Sequence, residues 1–214
     1  MSKFIVGIGF TTRAGKTTAA EGLARELGFR TIGFADQLKE LAVKANPLIT
    51  TASAMVNKAN NNKLGWLLSG LGGWEQVKDT YPEARVFLEN LGKGGRDVFG
   101  DDFWVEQVLR KVDASDHDRW VIADVRYRNE ADAIRARGGV VIRLDRPGFS
   151  PRDFERDMEG YDFDEVFDND KGIVDLQADV VAWVKNRLEY VPTSASTAAQ
   201  VDGLIQALAQ EELP

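Results

Sequence analysis

A glycine-bearing loop near the start of the chain lies between an apolar segment and a helix-forming segment. The apolar run at residues 4–8 predicts a short buried strand, and it leads into Gly9-Phe-Thr-Thr-Arg-Ala-Gly15-Lys16-Thr17-Thr18. A strand, a glycine loop and Gly-Lys-Thr opening a helix form the layout of a phosphate-binding P-loop. In such a loop, main-chain N–H groups and the positive end of the helix dipole face phosphate oxygens. The segment therefore predicts binding of a nucleoside triphosphate.

The residues of this loop have distinct expected roles. Lys16 is expected to reach the β and γ phosphates and to act in catalysis, while the Thr17 hydroxyl is expected to hold Mg²⁺. The residues predicted to bind ATP in the loop are Arg13, Ala14, Gly15, Lys16, Thr17 and Thr18.

The spacing of the loop departs from the usual P-loop pattern. Five residues separate Gly9 from Gly15, whereas the pattern has four. Either the loop is one residue longer, or Phe10 occupies the first glycine position in a strained conformation. The alternative is that Gly-Lys-Thr occurs by chance at the start of a capped helix and binds no phosphate. The apolar stripe of the following helix, which ends before Gly28, favours the P-loop.

Composition excludes several kinds of chemistry. The 214 residues contain no cysteine, which excludes disulfides, thiolate metal sites and a cysteine nucleophile. The single histidine, His117, lies in a polar run typical of a surface loop, so a histidine general base is not expected. The net charge of −7 argues against direct nucleic-acid binding. No membrane span or signal peptide is recognisable, so we expect a cytoplasmic protein, in a host cytoplasm if viral.

Strand-like and helix-like segments alternate along the chain, which predicts an α/β fold with a mainly parallel sheet covered on both faces. Predicted strands occupy residues 4–8, 31–34, 120–124, 140–144 and 164–167. Six helices are predicted. The first begins after Gly15, the second ends before Pro47, the third ends at Gly92 and the fourth spans about 102–112. The fifth follows Asp124, and the sixth runs from Ile173 to Leu188. We expect one domain over residues 1–190, with 47–82 as an irregular insertion. Residues 191–214 are expected to form a linker and a short amphipathic helix that docks on the body or on a sister subunit.

Charged residues follow the predicted strand ends, where ligands bind in such sheets. Asp124 ends a hydrophobic strand, as expected of a Walker-B acid that contacts Mg²⁺; the alternative is a carboxylate that caps the following helix. Guanidinium groups match the geometry of phosphate oxygens. Arg126 and Arg128 follow the third strand, Arg143 and Arg146 flank the end of the fourth, and Arg152 and Arg156 come next. A lid and surface ion pairs explain Arg152 and Arg156 equally well.

Several segments together resemble the bacteriophage deoxynucleoside monophosphate kinases, a branch of the P-loop nucleotide kinases. The resemblance covers residues 1–190 and is carried by the P-loop and four further segments. These are Phe34-Ala-Asp36-Gln-Leu38-Lys39, Arg85-Val-Phe-Leu-Glu-Asn-Leu-Gly92, Gly95-Arg96-Asp-Val-Phe-Gly100-Asp-Asp-Phe103-Trp104 and Asp124-Val-Arg126-Tyr-Arg128-Asn129-Glu130-Ala with Arg143-Leu-Asp-Arg146-Pro-Gly148.

The resemblance implies a three-layer P-loop NTPase fold and transfer of the γ-phosphate of ATP to a deoxynucleoside monophosphate, with Mg²⁺ as cofactor. It implies catalytic roles for Lys16, Asp124, Arg126 and Arg128, metal binding by Thr17 and Asp124, and ATP binding by Arg146 besides the P-loop. The acceptor nucleotide would contact Asp36, Lys39, Arg85, Arg96 and Trp104. Two alternatives stay open: a P-loop kinase of another small metabolite, and a nucleotide-binding module without turnover. A homodimer is also compatible with this assignment.

Overall fold

The structure is a computed structural model that describes residues 3–10, 13–49, 62–149 and 153–189. The predicted tail at 191–214, Arg152 and part of the 47–82 segment lie outside the described residues. Among the described residues, no helix combines the length and the apolar character that a bilayer crossing requires.

Five strands form one parallel sheet in the order β2-β3-β1-β4-β5. Their bounds are Phe4–Phe10 for β1, Arg30–Ile32 for β2, Arg119–Val125 for β3, Val140–Asp145 for β4 and Glu165–Asp168 for β5. The central strands are rich in valine and isoleucine because helices cover both faces of the sheet. The prediction of an α/β fold with a parallel sheet is confirmed. Since β1 lies between β3 and β4, the carboxyl ends of these two neighbours flank the P-loop.

Eight α-helices and one 3₁₀ helix are found among the described residues. They are α1 Lys16–Leu27, α2 Phe34–Ala45, α3 Leu64–Leu71, α4 Trp74–Thr80, α5 Pro82–Phe99, α6 Phe103–Ala114, α7 Arg128–Arg135, α8 Ile173–Glu189 and the 3₁₀ helix Asp153–Met158.

Alternate residues of β1 pack on opposite faces of the sheet. Ile5 belongs to a buried cluster that includes residues of α6 and α7, whereas Val6 and Ile8 belong to a second cluster that includes residues of α1 and α8. This alternation is the period of two that strand geometry imposes. The two clusters give the molecule its three layers, with helices on each side of the sheet, as predicted.

The predicted end of α5 at Gly92 is wrong, because the helix continues to Phe99. Two of its three glycines, Gly92 and Gly95, serve close packing instead of termination. A Cβ atom at Gly92 would lie 3.3 Å from a Leu38 methyl group, and one at Gly95 would lie 2.8 Å from the Trp104 ring. The absence of a side chain at these positions lets α2 and α6 approach α5.

The predicted irregularity of residues 47–82 is also wrong where the structure describes them. Residues 64–80 form α3 and α4, and Gly72 and Gly73 separate the two helices with positive φ angles of 89° and 124°. These glycines mark a sharp turn that other residues adopt only with strain. A third buried cluster packs this segment against α2 and α5; it contains Ala42, Ile49, Leu64, Leu67, Val77, Ala84 and Leu88.

Candidate active site

The P-loop connects the carboxyl end of β1 to the amino end of α1. Phe10 is the last residue of β1 and pairs with Leu144 of β4, so its backbone is extended. An extended Phe10 favours the first explanation for the unusual spacing, in which the loop is one residue longer than usual. In the part of the loop that the structure describes, from residue 13 onward, positive φ angles occur at Arg13 with 65° and at Gly15 with 99°. Gly15 is the N-cap of α1 and has no side chain to bond the N–H groups of the first turn, as an anion site requires.

The predicted ATP-binding residues lie together at this turn. Ala14 is buried, and Lys16 and Thr17 are the first two residues of α1. Arg146 follows β4, and its Nη1 donates to the main-chain carbonyl oxygen of Arg13 at 3.3 Å. The structure thus brings a predicted ATP-binding arginine from a neighbouring strand end to the P-loop.

Asn169, which follows β5, is a site residue that the sequence analysis missed. Its side-chain amide donates to the carbonyl oxygen of Ala14 at 2.9 Å. A Cβ atom at Gly15 would lie 2.7 Å from the same amide nitrogen, so only glycine allows this approach. The position of Asn169 directly after a predicted strand was the signal that could have identified it.

Asp124 is the second-to-last residue of β3 and contacts the amino end of α2. Its Oδ1 accepts the N–H of Phe34 at 2.8 Å, and its Oδ2 accepts the N–H of Ala35 at 2.9 Å. The carboxylate therefore caps a helix, but it caps α2 and not the helix that follows it in sequence. This contact also explains why β2 ends before Phe34, which begins α2 instead of ending the strand. A carboxylate oxygen with two lone pairs can accept an N–H and still bind a cation.

Magnesium binding by Thr17 and Asp124 stays a prediction. The described residues contain no group of three or more histidine, cysteine, aspartate or glutamate side chains that could hold a metal ion. Mg²⁺ in kinases is commonly bound by one or two protein oxygens together with substrate phosphates and water. A hydroxyl and a carboxylate are ligands of the right chemistry for this kind of site.

Helix α2 carries the predicted acceptor residues Asp36 and Lys39 in its first turns. Asp36 accepts the N–H of Gly33 at 2.7 Å through its carboxylate, which closes the start of the helix. The Lys39 ammonium lies 3.7 Å from the other oxygen of Asp36. The Asp124 carboxyl group holds the amino end of α2, where Asp36 and Lys39 lie. It therefore connects the edge of the sheet that carries the P-loop to these two predicted acceptor residues.

The two predicted phosphate-binding arginines of α5 are not brought together. Arg85 lies in the second turn of α5, with Nη2 3.8 Å from the carboxylate of Asp79, and Arg96 lies near the end of the helix. A rise of about 1.5 Å per residue separates them by roughly 16 Å along the axis. Only Arg96 contacts the β3–α7 turn, where its Nη2 donates to the Tyr127 hydroxyl at 3.0 Å and its guanidinium lies 4.3 Å from the ring centre.

Trp104 packs inside the helical layer. Its side chain is 7% exposed, and its indole N–H donates to the carbonyl oxygen of Gly92 at 2.9 Å. Its ring lies directly over Gly95. Contact with a nucleotide stays a prediction, and this burial does not favour it.

The turn between β3 and α7, residues 126–127, contains the predicted functional residue Arg126, and Arg128 begins α7 directly after it. Arg128 donates from Nε to the carbonyl oxygen of Asp157 at 2.7 Å and from Nη2 to that of Glu159 at 2.5 Å. The main-chain N–H of Arg128 donates to the Asp157 carboxylate at 2.7 Å. The arginine predicted to face the transferring phosphate thus also anchors the 3₁₀ segment. Asn129 joins the turn to the α5–α6 connection through Asp102, at 2.8 Å.

Glu130 is a second residue that the sequence analysis did not single out. Its Oε2 accepts the N–H groups of Arg126 at 2.6 Å and Tyr127 at 3.1 Å. Burial, and next the negative charge of Asp124, raise the pKa of Glu130 to about 8. Tyr127 is the N-cap of α7 and Glu130 occupies its third position, so a glutamate three residues after the start of a predicted helix was the available signal.

No protein-family model matches the chain. The chain is similar to a protein of Acanthamoeba polyphaga mimivirus that is provisionally named a deoxynucleotide monophosphate kinase. The two are 29% identical over 198 residues, and the alignment covers 85% of this chain and 96% of that protein.

Two solved kinase structures also show similarity over most of the chain. A shikimate kinase from Aquifex aeolicus vf5 has 13% identity and a TM-score of 0.49, covering 87% of this chain and 99% of that one. A dephospho-CoA kinase from Campylobacter jejuni has 19% identity and a TM-score of 0.45, covering 86% of this chain and 96% of that one. The fold class follows from the strand order and the three layers, independently of these likenesses.

Proposed function

We propose that this chain is a P-loop kinase that transfers the γ-phosphoryl group of ATP to a deoxynucleoside monophosphate. The observation that carries the proposal is the 29% identity to the mimivirus protein, which extends over 96% of that protein. The P-loop between β1 and α1 independently supports a nucleoside triphosphate as the donor.

The proposed reaction needs no general base. A phosphate oxygen of the acceptor is already anionic; it forms a bond to the γ-phosphorus while the bond to the β–γ bridging oxygen breaks. The products are ADP and a nucleoside diphosphate. The protein has to position both nucleotides, neutralise charge and exclude water. A chain with one histidine and no cysteine can supply all three functions.

On the donor side, Lys16 would neutralise the β and γ phosphates, and the N–H groups at the start of α1 would contact their oxygens. Arg146 already contacts the main chain of the P-loop and would lie beside ATP. Thr17 and Asp124 would hold Mg²⁺, which supplies charge neutralisation at the phosphate oxygens when bound.

On the acceptor side, α2 would contribute Asp36 and Lys39, and α5 would contribute Arg96. Arg96 is favoured over Arg85 for the acceptor phosphate because it contacts the β3–α7 turn, which contains Arg126. Arg126 and Arg128 would face the transferring group. We assign Trp104 an indirect part, in which it supports the helix that carries Arg96.

The test is ADP production from Mg-ATP by the purified full chain with dAMP, dGMP, dCMP, dTMP and their ribose counterparts. Lys16→Ala is the matched control, because it removes the phosphate-binding ammonium and leaves the loop backbone in place. Turnover with a deoxynucleotide that falls at least about 100-fold in Lys16→Ala is expected.

Two other outcomes would reject the proposal in different ways. Turnover only with an acceptor that is not a nucleotide would identify a small-metabolite kinase. Measurable ATP binding without turnover on any acceptor would identify a nucleotide-binding module.

A further inference from the structure

Glu130 has an unusual environment for a charged residue. Its side chain is 6% exposed, and it is the one polar or charged side chain that is buried across residues 3–10, 13–49, 62–149 and 153–189. Burying a carboxyl group costs free energy unless its oxygens are hydrogen-bonded. A leucine at this position of α7 would avoid that cost, so the retained carboxyl group requires an explanation.

Capping of α7 explains only part of the arrangement. A glutamate at the third helical position that accepts the N-cap N–H accounts for the bond from Tyr127 at 3.1 Å, because Tyr127 is the N-cap. The shorter bond, from the Arg126 N–H at 2.6 Å, reaches a residue that precedes the cap. The same oxygen therefore fixes two successive peptide groups of the β3–α7 turn.

The side chain of Tyr127 contacts Arg96, a proposed acceptor residue. The Tyr127 hydroxyl accepts a hydrogen bond from Arg96 at 3.0 Å, and the guanidinium of Arg96 lies over its ring. Arg126 precedes it by one residue. A rotation of either peptide group would therefore displace the guanidinium of Arg126, and the ring that supports Arg96.

We propose that Glu130 is a positioning residue that holds the β3–α7 turn so that Arg126 and Arg96 are correctly placed for the acceptor phosphate and for transfer. The inference rests on the proposed kinase function. Glu130 itself touches neither nucleotide, and it acts through the main chain of Arg126 and Tyr127. Among the described residues, the hydrogen bonds of the Glu130 carboxyl group go to the β3–α7 turn and not to the loop between β1 and α1.

The experiment compares Glu130→Leu, Glu130→Gln and Ile134→Ala in the full chain. Ile134 is a buried α7 residue that packs against Gly7 and Gly139, so its truncation lowers stability without touching the turn. Glu130→Leu is expected to lower kcat by about 10- to 100-fold and to raise KM for the deoxynucleotide, with KM for ATP unchanged. Glu130→Gln is expected to keep most activity, because an amide oxygen accepts the same N–H bonds. Ile134→Ala is expected to keep all three kinetic constants.

Glu130→Leu could fail to fold, so a second variant, Tyr127→Phe, tests the same arrangement. Tyr127→Phe removes the hydroxyl that contacts Arg96 and is expected to raise KM for the deoxynucleotide alone. Unchanged acceptor KM in both Tyr127→Phe and Glu130→Leu would overturn the proposal. So would an equal rise in KM for ATP, or a loss of activity in Glu130→Gln as large as in Glu130→Leu.

Amide proton signals provide a readout that does not depend on turnover. In the nuclear magnetic resonance spectrum, the amides of Arg126 and Tyr127 are expected to shift in Glu130→Leu and to stay near their wild-type positions in Glu130→Gln. Signals that do not move in Glu130→Leu refute the inference whatever the activity. Absence of wild-type turnover with every nucleotide refutes the proposed function instead.

Discussion

The side-chain amide of Asn169 donates a 2.9 Å hydrogen bond to the main-chain carbonyl oxygen of Ala14. This bond joins the segment after β5 to the P-loop, across the end of β4. It lies next to Gly15, whose positive φ angle turns the chain into α1. A residue far away in sequence thus holds the main chain of the P-loop.

We expect Asn169→Ala to weaken ATP binding by roughly 2- to 10-fold, since one net hydrogen bond contributes about 0.5–1.5 kcal/mol. Isothermal titration calorimetry of ATP binding would measure the change. Asn90→Ala, an exposed asparagine on α5, is the matched control and should bind ATP like the wild type. Equal affinities for both variants would contradict a role for Asn169 in shaping the loop.

Replacing Asp124 should disturb both a helix cap and the proposed metal site. Asp124→Ala removes the acceptors for the N–H groups of Phe34 and Ala35, and a lost cap costs about 1 kcal/mol, up to 2. Chemical denaturation would measure this loss. Asp124→Asn keeps one oxygen and should lose less stability.

The metal role of Asp124 is tested separately, through the Mg²⁺ concentration that gives half-maximal activity. We expect this concentration to rise in Asp124→Asn. Asp157→Asn is the comparison, because the Asp157 carboxylate also accepts a main-chain N–H at a helix start, that of Arg128. A shift of the same size in both variants would argue against Asp124 as a magnesium ligand.

Two adjacent glycines of α5 should respond to alanine in opposite directions. A Cβ atom at Gly95 would lie 2.8 Å from the Trp104 ring, so Gly95→Ala should destabilise the protein by about 1–3 kcal/mol through overpacking. A Cβ atom at Gly94 meets nothing within 4 Å, so Gly94→Ala should stabilise the helix by up to about 1 kcal/mol. Thermal unfolding of the two variants would show the difference, and a stabilised Gly95→Ala would disprove the close packing.

The raised pKa of Glu130 predicts a pH-dependent stability. Burial and the charge of Asp124 raise the pKa from 4.5 to about 8, so the folded state holds this proton more tightly than the unfolded state does. The resulting stabilisation is fully present below pH 4.5 and is lost as the pH rises through about 8. Glutamine has no proton to lose. The stability of Glu130→Gln relative to the wild type should therefore increase between pH 5 and pH 9, by an amount on the order of a few kcal/mol.

Denaturant unfolding of both proteins across this pH range would measure the effect. Ile134→Ala, which changes no titratable group, should differ from the wild type by the same amount at every pH. A stability difference between wild type and Glu130→Gln that does not vary with pH would show that Glu130 titrates normally.

Local sequence patterns predicted the sheet and the positions of most elements. The apolar runs identified all five strands. The predicted end of β2 lies two residues too far along the chain, because Phe34 belongs to α2. The Gly-Lys-Thr segment identified the start of α1. These features are predictable because periodicity and P-loop spacing are properties of a few neighbouring residues.

Glycine was the main source of error. Gly92 resembled a helix stop but lies inside α5, and Gly72 with Gly73 separates two helices instead of marking an irregular segment. A glycine in sequence does not say whether it supplies a positive φ angle or room for a neighbouring side chain. The neighbour that decides this, Leu38 for Gly92 and Trp104 for Gly95, is known only after the helices pack.

The sequence by itself determined the parallel α/β architecture, the position of the glycine loop between β1 and α1, and the set of charged residues near the strand ends. Only the tertiary structure decided which of these groups meet: that Asp124 caps α2, that Asn169 contacts Ala14, and that Arg96 and not Arg85 lies against the β3–α7 turn. The physical reason is the strand order β2-β3-β1-β4-β5. It places strand ends side by side that are far apart along the chain, and their hydrogen bonds form between partners that no local pattern connects.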